Sequence, residues 1–436
     1  MPMSNFLQRV KLPIRKTILV AIFGCYLGSL FIISLCPYIT GSGAVQTHLF
    51  SAFWSAWNNF TFRCWIPILL NIGIFVPIGA ILPLVARPFQ RWYITIPIGF
   101  GCSLFIEIIQ YLMASGISDV DDLFCNTIGT ALGYCLCMIV FSASKQKSVM
   151  CIAYGMVPLI SVGVMVCVLV LYKIQPYGNL LDGPTFRADT SFVTQWEINC
   201  PLSDQRQEVE IYYTEPFNTE NGFAFARKFA EQQGKTIRNI SDYGDTIYIQ
   251  DPDGANGFSL MINLADRSYT YRDNRHFMYE SADWDNGQIE ESVLQNILLE
   301  FGIFIPEQAV MSYDGNGQYA FDVDMLVDGN TCIFGTVCCW MNKDRKIMEI
   351  ENSMSVGTLY ATESILSETE AYERLRQGRF SNGHSFEDSH YNQIQVLSCQ
   401  LEYEMDTKGF LQPVYHFELD KLGPVTVPAL VSYWGP

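Results

Sequence analysis

Residues 65–86 read WIPILLNIGIFVPIGAILPLVA, twenty-two residues with no charge and a single polar side chain, Asn71. A bilayer core about 30 Å thick is crossed by roughly 20 apolar residues in a helix rising 1.5 Å each. The stretch is therefore expected to span a membrane. Working outward from it, four more segments have the same character, at about 17–36, 92–113, 122–142 and 149–172. The first follows Arg9, Lys11, Arg15 and Lys16 and is too long for a signal peptide, with no small-residue cleavage site after it. It reads as an uncleaved signal anchor. The expected fold is an α-helical membrane bundle of about five transmembrane helices followed by an α+β extracytoplasmic domain of two lobes.

Charge divides the chain in the same way. Residues 1–173 hold ten Lys/Arg and four acids (Glu107, Asp119, Asp121 and Asp122), whereas the rest holds 17 Lys/Arg and 40 Asp/Glu. Orientation follows from basic residues in short loops. With residues 1–16 cytoplasmic, eight basic residues fall inside and only Arg63 and Lys173 outside. An odd number of spans then places everything after about 175 outside the cytoplasm. The soluble half's acidity argues against nucleic acid and anionic lipid head groups as partners, because both are bound through Lys/Arg. Nine of the fourteen cysteines lie in or beside apolar spans, where they act as small hydrophobes. The soluble half keeps Cys200, Cys332, Cys338, Cys339 and Cys399. The odd number leaves at least one thiol free within a chain, and the sequence does not pair the others. No CxxC pair occurs, so zinc is not expected.

The expected domains are 1–16, a cytoplasmic N-terminus; 17–142, four helices; 149–172, a fifth helix; 173–195, a linker with Pro176, Gly178, Gly183 and Pro184; and 196–436, the acidic α+β domain. Between the first two spans, Trp54, Trp57 and Phe60 fit one face of a short interfacial helix. In the soluble half, 220–233 and 288–302 read as helices closed by Gly234 and Gly302. Strands are expected at 246–250, 258–264 and 269–272. A hairpin at 318–327 and 331–341 turns on Asp328-Gly329-Asn330. Ser367-Glu-Thr-Glu370 is a capping box whose helix stops at Gly378. Strands at 393–404, 411–418 and 425–433 come after it, and the two lobes divide somewhere within 290–350.

Charged and amide side chains are costly inside a membrane, so each needs a reason. Glu107 and Gln110 share one face of the third span, and Asp122 and Asn126 one face of the fourth. Counted from the outer ends of their helices, Asn71, Glu107 and Asn126 all lie roughly 6–9 Å deep at 1.5 Å per residue. Asp119, Asp121 and Asp122 stand above them. Three helices thus bring polar groups to one level. Such groups can simply hydrogen-bond the helices together, form a polar pocket open to the outer leaflet, or relay protons. Asn71, Glu107, Gln110, Asp119, Asp122 and Asn126 are the candidate ligand-binding residues. Pro77 and Gly79 shape the second span, and Gly129 and Gly133 form a small-xxx-small pair for helix packing. No histidine lies in spans two to four, and no HExxH or GxSxG occurs, so no hydrolytic site is complete and no metal or cofactor is expected.

Asn71-Ile-Gly-Ile-Phe-Val-Pro77-Ile-Gly79, Glu107-Ile-Ile-Gln110 and Asp119-Val-Asp-Asp122-Leu-Phe-Cys-Asn126-Thr-Ile-Gly129-Thr-Ala-Leu-Gly133 together resemble the VanZ family, over about residues 17–142. One departure is Ser115-Gly116-Ile117-Ser118, where relatives often carry Gly-Arg. The resemblance implies a small helical membrane bundle in the envelope of a Gram-positive bacterium. It also implies a link to resistance against glycopeptide antibiotics of the teicoplanin type. The implied partners are membrane lipids, a lipid-linked or glycopeptide ligand, and an envelope protein for the outer domain. A non-enzymatic binding or sensing role is the first reading. An intramembrane enzyme or transporter acting on a lipid-linked intermediate, with Glu107 as base or proton carrier, is the alternative. Glu368–Phe380, Gln393–Glu404 and Gln412–Phe417 resemble YycI-like and PepSY-like extracytoplasmic regulatory modules, which implies regulation rather than catalysis. His384, Glu387, Asp388 and His390 read as a solvated loop. Asp251-Pro-Asp253-Gly and Asp314-Gly-Asn316-Gly read as hairpin turns that lack the terminal Glu of a calcium loop.

Overall fold

The computed structural model describes residues 17–30, 32, 45–113, 118–180, 190, 193–251, 257–274, 284, 287–380, 391–421 and 423–434. The chain forms two compact units. One takes in residues up to Gln175 apart from Trp57–Arg63, and the other takes in that segment and everything from Pro176.

The first unit is helical. Among the described residues, four helices are long and apolar enough to cross a membrane: α3 (Phe62–Val85), α4 (Trp92–Met113), α5 (Val120–Ser144) and α6 (Ser148–Ile174). The expected first span is described only as α1 (Thr17–Leu30), shorter than a bilayer crossing, and the rest of 31–36 apart from Ile32 lies outside the described residues. Even so, α1 belongs to the bundle. Leu30 packs with Phe75, Ile78, Leu82 and Ile106, and the Tyr26 hydroxyl donates to the Ile74 carbonyl.

Glycines bring α3 and α5 together. A Cβ at Gly79 would stand 1.9 Å from the Thr130 carbonyl oxygen, at Gly129 2.0 Å from that of Ile72, and at Gly133 1.9 Å from that of Val76. Only residues without side chains let the two backbones touch. Pro77 lies inside α3, where it removes one backbone donor without ending the helix. At the other end of the bundle, the Tyr134 hydroxyl donates to the Gln90 carbonyl at 2.8 Å and Thr95 Oγ1 to that of Phe89 at 2.6 Å. By contrast, α6 has no buried residue in this unit.

The short helix between the first two spans is α2 (Ser51–Asn59). Trp54 is exposed on it, but Phe60 lies beyond its end at φ 42°, with its ring edge-on to Trp57 at 5.6 Å. The single apolar face expected of Trp54, Trp57 and Phe60 therefore does not form, because the helix stops first.

Among the described residues, the second unit is built on one continuous 14-stranded sheet. Its strands are β3 (Val193–Ile198), β4 (Glu208–Tyr213), β5 (Asn239–Asp242), β6 (Thr246–Asp251), β7 (Phe258–Asn263), β8 (Tyr269–Asp273), β9 (Val310–Tyr313), β10 (Gln318–Asp328), β11 (Thr331–Met341), β12 (Ile347–Asn352), β13 (Ser355–Ser364), β14 (Tyr391–Met405), β15 (Phe410–Leu419) and β16 (Gly423–Pro428). The spatial order is β3-β14-β15-β4-β13-β11-β12-β8-β7-β6-β5; β10 and β9 branch from β11, and β16 from β15. Two hydrophobic cores lie along it. The first gathers α7 (Thr219–Gln232) and α8 (Glu291–Glu300) over β6–β8 and the β10–β12 strands. The second gathers α9 (Glu368–Arg376) over β3 and β14–β16.

The two lobes therefore share a sheet and have no single chain boundary. Residues 290–350, where a division is expected from the sequence, hold the β10–β11 hairpin, which is central. β11 changes neighbour at Gly335, φ 109°, without a change of register: Ile333 and Phe334 pair with β13, while Val337 to Met341 pair with β12. A Cβ there would meet the Ser353 carbonyl oxygen at 2.5 Å, so glycine is required. The stretch expected to be a linker is structured at both ends. Tyr177 and Leu180 are buried, and β3 begins at Val193. The Asp406 carboxylate, itself buried, accepts from the backbone nitrogens of Gly178 (2.6 Å), Lys408 (2.7 Å) and Phe410 (2.9 Å) and from Gln412 Nε2 (2.6 Å).

Other local expectations are met in detail. α7, α8 and α9 are followed by Gly234, Gly302 and Gly378, all at positive φ, and the capping box at Ser367–Glu370 forms both of its hydrogen bonds. Asp314 Oδ1 accepts from Asn316 N and Gln318 N, which makes that loop a turn. The strand expected at 425–433 ends at Pro428 and gives way to a 3-10 turn at Val431–Trp434. His384, Glu387, Asp388 and His390, and the turn after Asp251, lie outside the described residues.

Candidate functional site in the helical bundle

The polar groups gather where α4 ends and α5 begins. The connection is fixed by two short parallel strands, β1 (Val45–Gln46) and β2 (Ser118–Asp119), with Val45 beside Ser118 and Gln46 beside Asp119. β2 leads directly into α5. Asp119 is the N-cap, and its Oδ1 accepts from Asp121 N at 2.8 Å. Asp121 and Asp122 fill the first turn, where the helix's exposed N–H groups favour negative charge.

Each carboxylate then has its own work. Glu107, buried on α4, accepts at Oε2 from Ser118 Oγ (3.0 Å) and Asp119 N (3.1 Å), so it holds the loop onto its own helix. Asn71 of α3 donates through Nδ2 to Asp122 Oδ1. Asp122 lies within electrostatic range of Glu107, Asp119 and Asp121. Asp121 is 1% exposed and turns the other way. It accepts from Phe50 N (2.5 Å), Ala52 N (2.8 Å) and Ser51 Oγ (3.3 Å), which caps α2 from across the loop. Above it, the Phe50, Phe53 and Phe124 rings meet edge-on, with Phe50 and Phe124 centroids 5.2 Å apart.

Asn126 lies one turn further along α5 and joins a different helix. Its Nδ2 donates to Ser103 Oγ of α4 at 2.9 Å, and its Oδ1 is buried without a hydrogen-bond partner among the described residues. Gln110 is half-buried on α4, three residues beyond Glu107. Of the six candidate residues, four form two hydrogen-bonded pairs, Asn71–Asp122 and Glu107–Asp119, whose carboxylates are within electrostatic range of one another, while Asn126 bonds separately to Ser103. Glycine seams support both parts: Gly79, Gly129 and Gly133 fix α3 against α5, and Gly99 lets Thr130 approach α4. Among the described residues, no three His, Cys, Asp or Glu side chains converge as metal ligands would.

Residues 23–141 match the family model described as VanZ/LLP1. The bundle is VanZ-like. All six candidate polar residues and all four packing residues of this VanZ-like region fall inside the match. No curated protein matches the chain. A crystal structure of an uncharacterized protein from Eubacterium rectale is 11% identical, with a TM-score of 0.23, and the alignment covers 53% of this chain and 85% of that one.

Sequence reasoning misses three residues of the VanZ-like site: Asp121, Ser103 and Ser118. Asp121 is visible in the sequence but is not separated there from Asp119 and Asp122, because depth along a helix says nothing about which way a side chain faces. Its spacing offers a signal, since Asp121 is one residue from Asp122 and so about 100° around the helix. Ser103 lies four residues before Glu107 and shares its face.

Proposed function

We propose that the VanZ-like bundle presents a polar site to the outer leaflet that holds an amphiphilic envelope component, and that the domain after α6 stands outside the cytoplasm and binds or senses envelope material. The observation that carries this reading is the placing together of two polar groups, Asn71–Asp122 and Glu107–Ser118–Asp119, by α3, α4 and the α5 N-terminus, with Asp122 in electrostatic range of Glu107 and Asp119. Lipid-facing helices do not need four carboxylates at one end, and carboxylates within a membrane are costly. The excess of Lys/Arg in the alternate loops supports placing that end outside. A ligand with a lipid tail and a polar head, such as a lipid-linked intermediate or a teicoplanin-type glycopeptide, fits a site at that depth. The acidic domain, similar in part to extracytoplasmic regulatory modules, would supply the sensing half.

The experiment is growth inhibition by teicoplanin and vancomycin in a susceptible Gram-positive host that expresses wild type or Glu107→Gln at matched membrane levels. A reporter fused at the C-terminus fixes the topology in the same strains. Raised teicoplanin tolerance that is lost with Glu107→Gln, together with an external C-terminus, is the expected result. Unchanged tolerance with well-expressed wild type removes the antibiotic role, and a cytoplasmic reporter removes the outer-leaflet site.

A further inference from the structure

The edge strand β3 ends beside the middle of its parallel neighbour β14, with Ile198 beside Val396 and Asn199 N donating to the Val396 carbonyl at 3.0 Å. Successive side chains on a strand point to opposite faces. Val396 faces the second core, and Asn199 faces away, donating through Nδ2 to Gln395 Oε1 at 2.9 Å. Cys200 therefore returns to the core side. On β14 the register against β15 slips between Val396 and Ser398, which brings Cys399, opposite the buried Phe417, to the core side as well. Both thiols pack against the same core. Both are within electrostatic reach of Glu368 at the start of α9, and Cys399 is within reach of Cys200.

The other three cysteines of this half offer no such pair. Cys332 packs with Tyr212 and Leu411, while Cys338 and Cys339 are neighbours on β11 and so point to opposite faces. Continued past Ile198, the β3–β14 register sets Cys200 beside Ser398, one residue from Cys399; adjacent strands lie about 4.8 Å apart, and such a one-residue offset keeps the Cα atoms near the separation of about 4.4–6.8 Å that a disulfide bridges.

We propose that Cys200 and Cys399 are a disulfide-forming pair which, on meeting a small-molecule or protein disulfide, closes a bond that staples the edge strand β3 to β14. The Cys200 thiolate attacks one sulfur of the donor and releases the other as a thiolate. The Cys399 thiolate then attacks Cys200 Sγ and releases the second donor sulfur. The two thiol protons pass to the released thiolates, and the donor is reduced by two electrons to two thiols. Burial pushes Cys399 up to about 12, which makes it the poorer thiolate and the second to react. Among the described residues β3 pairs only with β14, so its backbone is held on one edge, and Val193 and Trp196 pack into the second core. This pairing does not rest on the proposed ligand or on the orientation in the membrane.

The test uses purified full-length protein exposed to oxidised glutathione, followed by alkylation of free thiols and peptide mapping by mass spectrometry. The expected product is a peptide pair joined through Cys200 and Cys399 and released by dithiothreitol. Oxidation should also raise the unfolding temperature, an effect lost in Cys200→Ser and kept in Cys338→Ser. Full alkylation of both thiols after oxidant, or their linkage to other cysteines, in protein that keeps its circular dichroism spectrum overturns the proposal. The map is read on wild type, so a variant that misfolds does not obscure the result.

Discussion

Gly133→Ala probes the packing on which the polar cluster depends. The added Cβ would stand 1.9 Å from the Val76 carbonyl oxygen and 2.9 Å from Ala80 N. Both are backbone atoms of α3, so no side chain can rotate away. Close carbon–oxygen contacts begin near about 3.3 Å, so α3 and α5 must separate locally by roughly 1.4 Å. Overpacking a tight core costs about 1–3 kcal/mol, and a backbone-to-backbone clash belongs at the upper end. The same separation loosens Gly129 against Ile72 and pulls Asn71 from Asp122. The assay is thermal unfolding in one detergent with a thiol-reactive fluorophore, because Cys125, Cys135 and Cys137 are buried in the bundle and label as it opens. A drop of several degrees is expected for Gly133→Ala. Gly155→Ala and Gly163→Ala on α6, where nothing lies within 4 Å, should match wild type. Adding Gly129→Ala to Gly133→Ala should cost less than the sum, since one separation relieves both clashes. A Gly133→Ala protein that unfolds with wild type would refute the close approach of α3 and α5.

Two further outcomes are expected. Asp121→Ala removes the acceptor for Phe50 N and Ala52 N, a loss of about 0.5–2 kcal/mol for a helix cap; amide exchange should quicken across Ser51–Asn59 and not within α3, and unaltered protection there would show the cap to be idle. Arg206, then the Ser367 backbone, holds the Glu370 carboxyl down at about 2; its stabilising effect is present above the ordinary value near 4.3 and is lost as pH falls toward 2, so the unfolding-temperature gap between wild type and Glu370→Gln should close across that window, and a gap independent of pH would contradict the assignment.

The helices of the bundle are legible because a membrane demands a long apolar run, and the runs at 65–86, 92–113, 122–142 and 149–172 have no competing explanation. Hairpin and capping signals are legible for a local reason: Asp328-Gly329-Asn330 and Ser367–Glu370 each settle their geometry within four residues. Strand partners are not. Nothing near Glu208–Tyr213 says that it pairs with β13 on one side and β15 on the other. Nor does the sequence show that one strand, β11, serves β13 before Gly335 and β12 after it. In the bundle, counting residues from the helix ends places Asn71, Glu107 and Asn126 at one level. It cannot show that Asn126 turns to Ser103 instead of joining the carboxylates.

The position of β4 carries a cost in time. Tyr213 pairs with Thr358 and with Phe410, so the strand leaves the ribosome long before either neighbour exists. At 5–20 residues per second the wait for Phe410 is roughly 10–40 s. Until β13 emerges β4 has both edges open, and from then until β15 it has one; an unpaired strand edge is a template for other chains. The second core closes only when β15 and β16 have been made. Folding of this unit is thus obligatorily late and rich in distant contacts, which predicts slow acquisition of structure and places the aggregation hazard in the nascent chain.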